Sequence, residues 1–176
     1  VPPPAHGPAV LELHLGELRQ LFNSMDPAPF RERDLDPKAT DYIVDWATEA
    51  PAEQALAMVV HLGTSTPDAT LVGEAVREYY QGRAVAKRRE LSKLFRVGRI
   101  SLVIGLAFLA AAIGAGEALA GLFSEKSYAW LVKESLVIGG WVALWRPLEI
   151  FLYDWWPLRA QAKLYDRLGR VQVSVV

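Results

Sequence analysis

The longest apolar pattern in the chain runs from Ile100 to Gly116, 17 residues without a charge. Continued past Glu117 to Phe123 it covers 24 residues, about 36 Å as a helix. A bilayer core of about 30 Å needs around 20 such residues. A helix apolar on every side must be buried in protein or lipid, and 176 residues offer little protein to bury it. This segment, 100–123, predicts a first transmembrane helix.

A second apolar segment is interrupted. Ser135 to Trp145 is uncharged, then Arg146 and Glu149 precede Ile150, Phe151, Leu152 and Tyr153. Five of the six tryptophans fall between Trp130 and Trp156. Trp130 and Trp155 are about 37 Å apart along a helix, a separation that suits two aromatic belts with Trp156 in the second. The spacing predicts one continuous span over 128–156. The alternative ends the span at Trp145, with Pro147 bending the chain into the interface.

Outside these runs the periods are shorter. Residues 1–9 hold four prolines and read as a flexible tail. Val10–Leu15 alternates as a strand. Asp36-Pro37 is a helix start, with Ala39, Ile43, Trp46 and Ala47 as its apolar stripe. Ala55–Leu62 reads as a second strand. Thr66-Pro67 opens a helix that keeps its period through Tyr80 and meets no strong breaker before Ile100. Arg159–Leu168 is amphipathic, and Val171–Val176 alternates as a last strand. A strand–helix–strand unit predicts parallel pairing with a right-handed crossover. The fold class expected is an α+β membrane protein: a two-helix transmembrane hairpin with a small cytoplasmic α/β cap of about three strands. Its parts are a cap over 10–82, a basic helical connector over 83–99, the two spans, and a helix and strand over 157–176 that complete the cap.

Charge sharpens this picture. Residues 1–82 carry a net −8 and residues 83–176 a net +7, within a total of −1. The basic residues crowd the outer ends of the spans: Arg83, Lys87, Arg88, Arg89, Lys93, Arg96 and Arg99 before the first, and Arg159, Lys163, Arg167 and Arg170 after the second. The turn between them holds only Lys126 and Lys133. The positive-inside rule then places both termini in the cytoplasm. VPPPAHGP has no basic segment followed by an apolar one, so no cleavable signal peptide is expected there. Lys87, Arg88, Arg89, Arg96 and Arg99 form a run fit for anionic lipid; as a topology signal alone it needs no ligand. It abuts the membrane and lacks a stacking platform, which excludes nucleic acid.

Chemistry is sparse. There are no cysteines and three histidines, so thiolate catalysis and a Cys-based zinc site are excluded. His14 and His61 sit at similar places on two strands, and two ligands rarely hold zinc. No phosphate loop and no paired nucleophile and base are visible. No cofactor, metal or catalytic residue is expected. Two surfaces stand out instead. In the loop Asn23–Asp36, Phe30 with Asp26, Arg31, Glu32, Arg33 and Asp34 suits a protein contact; the alternative folds the loop back through Phe30. Glu32, Asp34 and Asp36 make a weak cation set, since Asp36 is needed as a cap. In the second span Arg146 and Glu149 lie three apart on one helical face. They form a charge pair for a lipid headgroup or a partner subunit, or an internal clamp, with Gly105 expected opposite the guanidinium. Small residues four apart (Ala107 and Ala111, Ala110 and Gly114, Gly139 and Ala143) suit either hairpin packing or docking.

Two segments, FNSMDPAPFRERDLD (Phe22–Asp36) and WRPLEIFLYDWWP (Trp145–Pro157), resemble a family of short, uncharacterised bacterial two-span membrane proteins. The resemblance implies no activity or cofactor. It implies that the loop and the Arg146–Pro157 region belong to the protein's role. The expectation is a non-enzymatic accessory or scaffolding subunit of a larger membrane complex, respiratory or photosynthetic in type, whose partners are other integral membrane subunits and anionic lipid. The alternatives are a stand-alone homo-oligomeric membrane regulator or lipid-binding protein, and a membrane enzyme built on Arg146, Glu149 and Asp154.

Overall fold

The computed structural model describes residues 7–30, 33–63, 69–120 and 126–176. Arg31, Glu32, the Thr66-Pro67 helix start, most of the proline tail and the end of the first apolar run lie outside the described residues. The chain is mostly helical, with one three-stranded parallel sheet and two helical segments long and apolar enough to cross a membrane. It forms two compact units, 1–88 with 160–176, and 89–159.

The first unit is built on alternation. Strand β1 (Ala9–Leu15) turns Leu11 and Leu13 inward and Glu12 and His14 outward. Strand β2 (Leu56–Leu62) buries Leu56, Met58 and Val60. The two pair in parallel, Ala9 opposite Leu56 through Leu15 opposite Leu62. Strand β3 (Gln172–Val175) adds to the other edge of β2, so the order is β1-β2-β3. Between the first two strands lies helix α1 (Pro37–Glu49). The Asp36 carboxylate accepts from the backbone N–H groups of Lys38 at 2.9 Å and Ala39 at 3.3 Å. Pro37 needs no such partner, and Pro51 follows the helix end.

Helix α2 (Ala69–Ala120) runs on without a break, as the unbroken period predicts. Its first turns bury Val72, Ala75, Val76, Tyr80 and Ala84 at helical spacing. The last turns of helix α5 (Trp155–Leu168) add Tyr165 and Leu168 to the same core. Polar ties fix the chain's return. Arg167 donates to the carbonyls of Pro51 (2.7 Å) and Gln54 (3.1 Å), and the Gln81 amide donates to Gly169 O at 2.9 Å.

The second unit is built on close approach. On α2, Gly98, Leu102, Gly105, Leu109, Ala112 and Gly116 are buried or half-buried at steps of four and three. That 3.5-residue repeat is a knobs-into-holes seam. Opposite it lie helix α3 (Lys126–Val142), the short helix α4 (Trp145–Glu149), a π-helical turn (Ile150–Asp154) and the start of α5. A Cβ at Gly140 would sit 2.6 Å from Leu109 Cδ1; one at Gly98 would sit 2.8 Å from Ile150 Cγ2. The approach therefore needs glycine. The small pairs singled out in the sequence mostly face away: Ala107, Ala110, Ala111, Gly114 and Gly139 are exposed, and nothing lies within 4 Å of a Cβ at either glycine.

The second segment is not the single uninterrupted helix expected over 128–156. The helix stops at Val142 and resumes at Trp145, so Ala143 and Leu144 form a turn. Pro147 is the cause, because it has no N–H to give the Ala143 carbonyl. Gly105 faces that carbonyl: a Cβ there would lie 2.9 Å from Ala143 O and 2.8 Å from Leu144 Cδ2. The expectation that Gly105 makes room for Arg146 is thus corrected. It makes room for the backbone that Pro147 disturbs, and its Cα–H group points at the freed oxygen.

Candidate functional site

The Asn23–Asp34 loop is closed at its neck and held by Asp26 within. Phe22 bridges Leu35, Asn23 N donates to Asp34 O at 2.8 Å, and Asp36 N donates to Leu21 O at 2.9 Å. Leu21, Phe22 and Leu35 are buried, so the neck is anchored in the core. Asp26 organises the interior. One of its oxygens accepts from Ala28 N (2.9 Å), the other from Asp34 N (2.7 Å). The Asp34 and Ala28 amides, with the Arg33 charge nearby, hold its carboxyl below the usual carboxylate range.

Phe30 packs on Phe22 with ring centroids 4.8 Å apart and joins the rim of the core. It holds the loop down and does not offer a free aromatic anchor, so the fold-back reading describes its position. Among the described residues, the loop exposes Met25, 87% accessible, along with Ser24, Pro27 and Pro29. These four were not singled out in the sequence. Their neighbour Asp26 was, and a Pro on either side of Ala28 is the signal for a rigid, outward-held segment. Arg33 reaches back to Ala28 O at 3.4 Å. Arg31 and Glu32 are outside the described residues.

The second cluster surrounds Arg146. Its Nη1 donates to Glu149 Oε2 and to Asp154 Oδ2, both at 3.1 Å. The sequence paired Arg146 with Glu149 and grouped Asp154, eight residues on, with them only as polar residues of the enzyme alternative. The π-helical turn brings it in. Widening one turn to i→i+5 spacing aligns Asp154 with Glu149, and both carboxylates reach one guanidinium. Two acids around one base leave the cluster with a formal charge of −1.

Just beyond, aromatic rings pack together. Phe95 lies 6.2 Å from Phe151 and 6.3 Å from Trp155. The Trp155 indole donates to Phe151 O at 2.9 Å, and Arg159 lies over its ring at 5.5 Å. Trp155 is therefore half-buried, whereas Trp130 and Trp156 are exposed.

The basic run divides by use. Arg88 is ion-paired with Asp166. Arg83 lies over the rings of Tyr79 (5.9 Å) and Tyr165 (5.6 Å). Lys87 also has an interaction partner. Arg89, Lys93, Arg96 and Arg99 are exposed, and their spacing of four, three and three puts them on one face of α2. No family model, curated protein or solved structure matches the chain.

Proposed function

We propose that this protein is a non-enzymatic, membrane-anchored accessory subunit of a larger bacterial inner-membrane complex, with both termini in the cytoplasm. One observation carries the reading. In the unit 89–159 Gly98, Gly105, Gly116 and Gly140 line the seam between the helices, while Val103, Ile104, Leu106, Phe108, Leu131, Ile138 and Trp141 are all exposed. Such a surface is costly in water and suited to lipid or to other membrane helices. The Arg146–Glu149–Asp154 cluster, half exposed at the end of the apolar stretch, suits contact with a neighbouring subunit. The loop with Met25, Pro27 and Pro29 outward supports a second contact on the soluble side.

The test is the native size of the tagged chain extracted in mild detergent. A discrete complex well above the mass of chain plus micelle is expected, with smaller forms appearing after Arg146→Ala or Met25→Asp. A particle of one chain regardless of detergent contradicts the proposal. A second reading, a stand-alone lipid-binding protein, is favoured by the stripe Arg89, Lys93, Arg96 and Arg99. It predicts self-association only, with anionic lipid lost on purification of the R89E/R96E variant.

A further inference from the structure

Among the described residues, the sheet of the first unit packs one face. An all-parallel sheet is ordinarily covered on both, yet Glu12, His14, Gln172 and Ser174 are exposed on the other, with His61 half-buried among them. Parallel pairing sets His14 directly opposite His61. Their rings stack at 4.4 Å with an angle of 13° between planes. Glu12, two residues before His14, points to the same side because side chains alternate along a strand. Donor atoms of Glu12, His14 and His61 all lie within 4.8 Å of one another. The Nε2 atom of His61 is shielded from solvent and has no hydrogen-bond partner among the described residues.

From this geometry we propose a divalent transition-metal site formed by Glu12, His14 and His61. Imidazole and carboxylate donors suit zinc, cobalt, nickel or copper better than the hard cations calcium and magnesium. A tetrahedral ion with bonds of about 2.1 Å holds its donors about 3.4 Å apart. Glu12 and His14 are exposed side chains, and rotation about their own bonds closes the remaining gap. An ion held there gives the solvent-shielded, unpartnered His61 nitrogen a ligand. Three protein donors leave at least one position for water or for a donor from outside the chain.

The sequence alone could not bring these residues together. Forty-six residues separate His14 from His61, and only the strand register sets them opposite. Two histidines alone fall short of a site, and the outward alternation of Glu12 supplies the third donor.

The test is titration of the full chain in detergent with Co2+, read in the visible spectrum, and with Zn2+ by competition. One equivalent of Co2+ is expected to give an absorption band that Zn2+ displaces. His14→Ala and His61→Ala each weaken binding by at least about 100-fold, beyond the roughly 10–100-fold cost of outer-shell changes. Glu12→Gln weakens it less, and His6→Ala leaves it unchanged. His14→Gln repeats the test with a side chain of similar size, and circular dichroism verifies the fold of each variant. Absence of a band in the wild type, or a band that survives in His14→Ala, overturns the proposal.

Discussion

The two units obey opposite packing rules. In the first, large side chains point inward: Tyr80, Phe22, Leu21, Ile43 and Met58 are fully buried between sheet and helices. In the second, glycines point inward at 98, 105, 116 and 140, and many large side chains, such as Val103, Phe108 and Trp141, point out. Water explains the first arrangement, since burying apolar area there is the main driving force. It cannot drive the second if lipid surrounds the helices, because lipid tails are as apolar as leucine. Close backbone approach and interhelical contacts then do the work. The lesson is that an apolar side chain on the surface is a defect or a requirement according to the solvent it meets.

Substitutions should separate the two regimes. The largest effect is expected from Phe22→Ala, which removes a buried ring and the support beneath Phe30, at a cost of about 3–5 kcal/mol to the first unit. Hydrogen exchange of the β2 amides in detergent reads it; unchanged protection would mean the loop neck is not part of this core. Next is a pair of neighbours. Gly140→Val forces a side chain into Leu109 and should cost about 1–3 kcal/mol of helix association. Gly139→Val meets open space and should change it by less than about 0.5 kcal/mol. Equal effects in a crosslinking or thermal assay would remove the seam from the account.

Smaller again, Asp36→Ala deletes two cap bonds and should cost about 1 kcal/mol, read as fraying of the first turn of α1. The mildest effect is a pH response of the loop. The folded Asp26 carboxyl titrates below its unfolded value of about 3.9. Its stabilising contribution is therefore full above that value and is lost as pH falls through the folded value. Protection of the Asp34 amide should drop below about pH 4 in the wild type. In Asp26→Ala it should be low at every pH.

Much of the first unit was legible in the sequence because its signals are local. Alternation marks Leu11 and Leu13 as inward, and Asp36-Pro37 marks a helix start by its capping chemistry. The seam of the second unit was not legible in the same way. The 3.5-residue repeat from Gly98 to Gly116 is present in the sequence, but its neighbours are also small or apolar, so no contrast reveals which face meets the partner helix. Small pairs at spacing four occur on more than one face, and those at Ala107–Ala111 and Ala110–Gly114 turned out to face away. Pro147 signalled a disturbance but not its outcome. The π-helical turn depends on how Ile150 and Phe151 fit against Gly98, a contact 52 residues away in sequence. The direct contact of Asp154 with Arg146 follows from that turn, whereas the sequence could only group the two residues. Phe30 stayed open for the opposite reason: a lone aromatic in a charged loop reads equally as an external anchor or as a fold-back contact until its packing on Phe22 is visible.

The proposed function rests on a two-pass membrane hairpin with both chain ends on one side of the bilayer. The natural chain has no cysteine, so single cysteines at Gly7, Lys126 and Val176 can be tested without removing others. A membrane-impermeant maleimide applied to intact spheroplasts should label Lys126→Cys alone. Applied to inverted inner-membrane vesicles it should label Gly7→Cys and Val176→Cys alone. Labelling of all three positions from the same side, with the chain recovered in the soluble fraction, would contradict the account.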